Sequence, residues 1–364
     1  MAGIYIHIPF CATRCIYCAF YSTTQRNLRQ RYVEAVKREF SLRSHEISEP
    51  VKTIYLGGGT PSQLEPKQTA DLILYIINKV GSVEELTVEC NPDDITPTMV
   101  QTLRAAGVNR LSMGAQTFDD DRLRFLRRRH TAQQIAKAVE TARDGGIGNI
   151  SIDLMYGFPG ETLDQWRSDI EAALALDVQH ISAYCLSIEP GTPLERMGVK
   201  PLNEELQRKM YSFLRETLTA SGFEHYEISN FARKGYRSRH NANYWNRTSY
   251  LGLGAAAHSF SGDKRRWNVA DLGRYLQLIE HGETAYEQET IDPQTAYDET
   301  VMLGLRTCDG ILVGALAPRF RDYLLRQAKP FIDSGDLTLA DGRLKLTPQS
   351  LFIGDYITRE LMWL

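Results

Sequence analysis

Before residue 222 the chain six times follows a short apolar, β-branched run with a stretch of helical periodicity. The runs are Ile4–Ile8, Thr53–Leu56, Leu86–Cys90, Arg110–Met113, Ser151–Met155 and His180–Leu186. The helical stretches are Asn27–Ser44, Pro66–Val80, Thr96–Ala106, Asp120–Asp144 with a break near Thr131, Leu163–Leu176 and Asn203–Ser221. Thr96 ahead of Pro97, and Thr131 at the break, supply N-cap chemistry. Six such units predict an α/β fold on a parallel sheet with right-handed crossovers. An open doubly wound sheet and a barrel, complete or partial, both satisfy the pattern, and periodicity does not choose between them. In either, ligands collect beyond the carboxyl ends of the strands. That is where a cysteine cluster, Gly57-Gly58-Gly59-Thr60-Pro61, Glu89-Cys90-Asn91-Pro92, Gln116 and DLMYGFPGE fall.

After residue 222 the rhythm changes. The stretch FEHYEISNFARKGYRSRHNANYWNRTSYLGLGAAAHSF is aromatic, Asn-rich and turn-rich, and reads as strand plus loops. From about Asp292 the order is helix, helix, a hairpin turning at Asp341-Gly342, and a last helix. The chain therefore divides into 1–222, an extension 223–290, and a small helix-and-wing domain 291–364.

Cys11, Cys15 and Cys18 follow the first strand in C-x3-C-x2-C spacing. A disulfide uses two thiols, and a structural zinc site normally closes with four ligands. A four-iron cluster has four corners that cysteines normally fill, so three leave one iron open to an outside molecule. That is the mark of a reactive centre. The plainer reading places the three on one helical face as small hydrophobes, but Pro9 and the flanking aromatics make a helix start less natural there. The triple glycine lets main chain approach a ligand with no Cβ in the way, although most such runs are turns. Glu89, at a strand end, is a functional carboxylate or a solvated cap. Cys90, Cys185 and Cys308 read as buried thiols.

Charge removes some function classes. Against 45 acids stand 42 Lys and Arg, a formal charge of −3, so no global field recruits nucleic acid or an anionic membrane. Arg127-Arg128-Arg129, without interleaved aromatics, reads as a solvated helix face rather than a nucleic-acid patch. The later cluster Arg319, Arg321, Arg326 and Lys329 is offset by acids. The longest apolar run, Leu72–Ile77, falls far short of the roughly 18 residues of a membrane helix. MAGIYIHIPF has neither a basic n-region nor a small-residue cleavage site. Six cysteines, three clustered and three scattered, do not form a disulfide framework, so a reducing cytosol is expected.

The strings YIHIPFCATRCIYC, LGGGTPS, VECNPD, RLSMGAQTF, RRRH and SIDLMYGFPGET resemble the radical S-adenosylmethionine (SAM) superfamily. More narrowly they resemble the branch containing the oxygen-independent coproporphyrinogen III oxidase HemN and the heme chaperone HemW. HISAYCLSIEPGTPL, SRHNANYWNRTSYLGLGAAAHS and the tail extend the resemblance over essentially the whole chain. It implies a partial (β/α)6 barrel and a [4Fe-4S] cluster on Cys11, Cys15 and Cys18. SAM is expected to chelate the open iron through its amino and carboxylate groups and to be cleaved to a 5′-deoxyadenosyl radical. Tyr5, Tyr17, Gly58, Gly59, Thr60, Glu89, Gln116, Arg128 and Asp153 fall on SAM-binding positions, Glu89 at the ribose. In the oxidase the counterparts of Gln116, Arg128 and Asp153 serve a second SAM. One departure is Arg127, where the resemblance leads one to expect glycine.

Within the branch, oxidases carry a fourth cysteine two residues after the third, and a substantial segment ahead of the first strand. Here the position holds Phe20, and the first strand starts at residue 4. Both departures point to the chaperone subgroup, whose implied task is to bind heme and pass it to acceptor proteins, notably respiratory ones. An electron donor to the cluster is also implied. His240-Asn241-Ala242-Asn243-Tyr244-Trp245 resembles the subgroup's HNxxYW signature, linked to heme handling. The His240 imidazole can ligate heme iron, Tyr244 and Trp245 can offer flat apolar contact, and His258 is a second candidate ligand. A histidine beside aromatics is otherwise a hydrogen-bonded structural residue. The alternatives are the oxidase activity itself and, more distantly, a radical enzyme acting on RNA. The C-terminal domain is expected to contact proteins or to cover heme.

Overall fold

The computed structural model describes residues 2–284 and 286–363. The expected strands form as β1 (Ala2–Ile8), β2 (Val51–Gly58), β3 (Glu85–Cys90), β4 (Arg110–Gln116), β5 (Asn149–Tyr156) and β6 (His180–Cys185). Each is parallel to the next. Between and after them run α1 (Arg29–Arg43), α2 (Pro66–Val80), α3 (Pro97–Ala105), α4 (Asp120–Phe125), α5 (Ala132–Asp144), α6 (Leu163–Ala175), α7 (Pro193–Arg196) and α8 (Glu204–Ala220). Thr96 caps α3 by accepting from the Met99 amide at 3.2 Å. Thr131 and Gln134 close a capping box that restarts the chain as α5.

Along most of their length the strands alternate aliphatic and polar side chains. Ile4, Ile6, Ile8, Ile54, Leu56, Leu86, Val88, Leu111, Ile150, Ile152 and Ile181 are fully buried in one core with Leu72, Ile73, Ile76, Val100 and Ile135 of the helices. Each such side chain stabilises the fold by roughly 1.5–3 kcal/mol. The intervening positions are polar, and Tyr5, Tyr55, Glu89, Arg110, Ser112, Asp153 and Tyr184 line a single chamber of about 290 Å³. In a flat sheet β1 and β6 would stand about 24 Å apart at ~4.8 Å per strand. Sharing one small chamber requires the sheet to curl into a barrel wall.

The barrel does not close. After β6 come β7 (Glu224–Glu227) and β8 (Asn230–Ala232), and β8 pairs antiparallel with β6. The helix α9 (Arg239–Trp245) follows, then β9 (Tyr250–Leu253), which lies parallel to β1 on its other side. Then β10 (His258–Ser261), β11 (Lys264–Asn268) and β12 (Tyr286–Thr290) extend that edge. The residues after 222 thus extend both ends of the same sheet. The reading of HNANYW as strand or loop is corrected: it is α9, capped by Ser238 and by Glu85, which accepts from the Arg239 and His240 amides.

The tail has its own core, including Tyr297, Val301, Phe320, Leu324, Leu344 and Ile357. Its hairpin, Leu337–Ala340 with Arg343–Leu346, turns through Asp341 and Gly342, both at positive φ as a type I′ turn demands. Among its basic residues Lys329 pairs with Asp333 and Arg321 with Asp322, while Arg319 and Arg326 lie over the rings of Phe320 and Tyr323.

Trp166 ties the barrel to α8: fully buried, it packs on Tyr156 and donates from Nε1 to the Met210 carbonyl at 3.0 Å. Trp166→Ala is expected to cost about 3–5 kcal/mol, measured as a lower midpoint in urea unfolding at unchanged slope.

Candidate functional site

The cysteine loop sits above the strand ends because the main chain of three segments locks together there. The Gly59 amide donates to the Ile8 carbonyl at 2.9 Å, Thr23 to Pro9 at 2.7 Å, and Cys11 to Thr23 at 2.9 Å. A Cβ on Gly58, whose φ is +110°, would lie 2.4 Å from the His7 ring. One on Gly59 would lie 2.7 Å from the Pro9 carbonyl carbon, and one on Gly57 2.9 Å from Glu89 Oε1. The triple glycine is therefore required by internal packing as well as by any close approach of a ligand.

This junction borders a cavity of about 700 Å³. Cys11, Cys15, Cys18, Tyr17, Gly58, Gly59, Thr60, Glu89, Gln116, Arg128 and Asp153 all line it. Tyr5 lies one step lower, in the chamber beneath, which shares Glu89, Ser112, Asp153 and Tyr184 with the cavity. The Tyr5 hydroxyl donates to His7 Nδ1 at 3.0 Å, while His7 Nε2 donates to the Tyr21 carbonyl.

Burial raises the Cys11 and Cys18 thiols above their ordinary range. Arg128 places a cation beside the third thiol, donating from Nη1 to Cys15 Sγ at 3.5 Å. Its Nη2 is held by Asn91 Oδ1 and the Gly114 carbonyl, both at 2.7 Å. Among the described residues no three His, Cys, Asp or Glu side chains are grouped to hold a single metal ion. Three soft sulfurs on the wall of one cavity suit an iron–sulfur cluster, which has bulk of its own.

Glu89 is oriented by two donors, the Tyr55 hydroxyl at 2.7 Å and the Gly58 amide at 3.1 Å. Burial nevertheless pushes it up to about 7, and pushes Asp153 up to about 6 against the opposing pull of Arg110. Gln116 and Arg127 both hold positive φ, 69° and 60°. Arg127 thus adopts the left-handed geometry that glycine would take at less cost.

At the mouth, the Phe20 side chain is 71% exposed. Cys90 and Cys185 also face the cavity; Cys90 is buried, whereas Cys185 and Cys308 are only half-buried, which corrects the reading of all three as buried. Cys308 lies elsewhere, accepting from Arg237 at 3.4 Å.

The two candidate heme-ligating histidines occupy opposite environments. His240 is fully buried beneath the lower chamber, stacked on Tyr55 at 5.1 Å. Thr53 Oγ1, which accepts from Asn243, is hydrogen-bonded to His240 Nδ1 at 2.9 Å, and His240 Nε2 is hydrogen-bonded to the Tyr244 hydroxyl at 3.0 Å. Burial holds this ring neutral, down to about 3. His258 is exposed and stacks on Trp267. Residues the sequence reading passed over, Arg110, Ser112 and Tyr184, complete the chamber. The available signal was the polar alternation in R-L-S-M-G, unusual in a buried strand.

Comparison with known proteins adds the following. The family model "Radical SAM superfamily" matches residues 5–173, and "HemN C-terminal domain" matches residues 291–353. The Bacillus subtilis protein named heme chaperone HemW is 35% identical over 98% of this chain and 98% of its own length. The Lactococcus lactis protein of that name is 36% identical over 87% of this chain and 84% of its own. The solved structure of coproporphyrinogen III oxidase HemN from Escherichia coli superimposes with a TM-score of 0.86, covering 99% of this chain and 89% of that one at 22% identity. At that identity the likeness speaks for the fold.

The junction predicts its own sensitivity. Gly58→Ala, which combines a forbidden φ with a clash on His7, is expected to destabilise by roughly 2 kcal/mol or more. Thermal denaturation against wild type would measure it.

Proposed function

The chain belongs to the radical SAM superfamily and, within it, to the HemW family, and from that membership we propose that it is a heme chaperone. We read it as holding a [4Fe-4S] cluster, SAM and heme, and handing heme to acceptor proteins of the respiratory chain. The observation that carries this reading is the end-to-end correspondence with proteins named heme chaperone HemW. Phe20 supports it. An exposed aromatic at the cavity mouth offers a flat apolar ligand a surface, where the oxidases have a fourth thiol.

Cys11, Cys15 and Cys18 would hold the cluster, which when bound supplies the electron for reductive cleavage of the SAM sulfonium. An electron donor protein is therefore also a partner in this proposal. The chain's own residues do the rest. Arg128 donates to Cys15 Sγ and fixes that side chain at the cavity wall. Gly58 and Gly59 bring main chain up to the cavity, and Tyr17 and Thr60 wall it. Glu89, held by Tyr55 and the Gly58 amide, presents a fixed acceptor to ribose hydroxyls. Gln116 and Asp153 face the same space from the far strands, with Tyr5 below. Six free cysteines, none paired with another, support a cytosolic setting, and no described helix is long and apolar enough to cross a membrane.

For heme iron, ligation by His240 would require breaking both of its hydrogen bonds and opening the barrel floor. The exposed ring of His258 carries neither cost, so His258 is the residue that would ligate the iron. His258→Ala is expected to shift the Soret maximum of the hemin-loaded protein, with His240→Ala lowering thermal stability and leaving the maximum in place; the reverse pattern would exchange the two roles.

The second reading, coproporphyrinogen III oxidase, is favoured by the HemN-like fold alone. Reconstituted protein with hemin should give a Soret band that survives desalting. In the parallel anaerobic assay with SAM, reductant and coproporphyrinogen, no carbon dioxide release is expected. Release of carbon dioxide, with hemin washing out, would reverse the assignment.

A further inference from the structure

The mouth of the large cavity is positively charged, on a chain whose formal charge is −3. Among the exposed residues that line it, Arg14, Arg127 and Arg129 are cations and Glu189 is the one acid. Arg129 is neutralised by Asp93 and Asp94, at 2.6 and 2.7 Å. Among the described residues no acid pairs with Arg14 or Arg127. Arg127 ends α4: its amide donates to the Arg124 carbonyl at 3.0 Å, and the Arg128 amide to the Leu123 carbonyl at 2.8 Å. Glycine is favoured at such a helix end, so the chain keeps a free arginine in a left-handed geometry that glycine would hold at less cost. Arg14 lies inside the cysteine loop, between Cys11 and Cys15. Over residues 11–20 the exposed side chains are Thr13, Arg14, Ala19 and Phe20, whereas Cys11 is buried and Cys15 and Cys18 are half-buried. The outer face of the loop thus presents an arginine and an aromatic, the residue types enriched where proteins meet.

We propose that Arg14, Phe20 and Arg127 form the docking surface for the electron donor, a small one-electron carrier protein with an acidic face. The proposal rests on the cluster reading given above. One electron passes from carrier to cluster, oxidising the first and reducing the second, with no bond made or broken. Electron transfer through protein weakens exponentially with distance, so the carrier has to seat its redox group over the cysteine loop. The charge it meets there is positive. Opposite charges across the mouth steer the encounter, and salt screens them. Two unpaired guanidiniums can take carboxylates from the partner without giving up bonds of their own. Phe20 belongs also to the heme surface proposed above, so a docked carrier and bound heme would occupy the mouth in turn.

The probe is reduced flavodoxin, a small acidic flavin protein, mixed anaerobically with the reconstituted full chain while stopped flow follows bleaching of the cluster. Photoreduced 5-deazaflavin, small and uncharged, is the control reductant. The double variant Arg14→Glu, Arg127→Glu is expected to slow reduction by flavodoxin about tenfold or more at low salt. It should also flatten the dependence on ionic strength, with reduction by deazaflavin at the wild-type rate. Arg319→Glu with Arg326→Glu on the tail, an equal change of charge, keeps the wild-type rate with both reductants. An unchanged flavodoxin rate and salt dependence in the double variant at Arg14 and Arg127 overturns the proposal. So does transfer RNA binding that this variant loses while its reduction by flavodoxin stays as in wild type, which would assign the mouth to nucleic acid. If the double variant takes up no cluster, Arg127→Gly relaxes the backbone, removes one charge and is expected to slow reduction by flavodoxin several-fold. If wild type itself holds no cluster, the cluster reading fails and titration calorimetry with flavodoxin still judges the surface. Weaker binding by the double variant then supports it, and equal binding or none overturns it.

Discussion

The molecule turns on a backbone junction in which β1 and β2 end against one another. The Gly59 amide bonds to Ile8, Gly58 takes a left-handed φ over the His7 ring, and Gly57 closes on Glu89. No side chain fits at any of the three positions without displacing its neighbour. The same contact anchors the loop of Cys11, Cys15 and Cys18 through Pro9 and Thr23. It also fixes Glu89, since the Gly58 amide is one of its two donors. Thiols, main chain and carboxylate are positioned by one element, so disturbing it moves the whole site.

A second constraint is how the barrel distributes polarity. Aliphatic residues of β1 to β6 face the helices and supply the stabilising burial, while the opposite face carries tyrosines, acids, serines and Arg110. A polar interior stabilises less than a packed one, but it leaves a chamber. Its floor is α9, whose N-terminus is met by Glu85. The far end of α9 reaches the C-terminal domain, where Trp245 lies under Arg306 and the adjoining Arg247 pairs with Glu299. One short helix thus bridges the chamber and the tail.

Much of this was legible in order along the chain. The six strands and their helices, the caps at Thr96 and Thr131, and the Asp341-Gly342 turn depend on local pattern, and all form where the pattern puts them. What escaped was nonlocal. Seven residues with Asn241 and Asn243 inside have poor intrinsic helix propensity, and α9 forms because Glu85 caps it and Thr53 holds its side chains from distant strands. The burial of His240 could not be read for the same reason. Arg110 was visible only as a charge opening an apolar strand, and its meaning depends on the curl that brings β4 to face β1 and β6. The glycine that the resemblance leads one to expect at 127 came from the family pattern; in the structure Arg127 holds that position at positive φ.

The central claim is that the three amino-terminal thiols hold iron and sulfide with one coordination position left for an outside molecule. Electron paramagnetic resonance of anaerobically reconstituted, reduced protein, recorded with and without SAM, tests it most directly. The account predicts about four irons per chain and a signal whose g-values move when SAM is added. Zinc in place of iron, or an iron–sulfur signal indifferent to SAM, would contradict it.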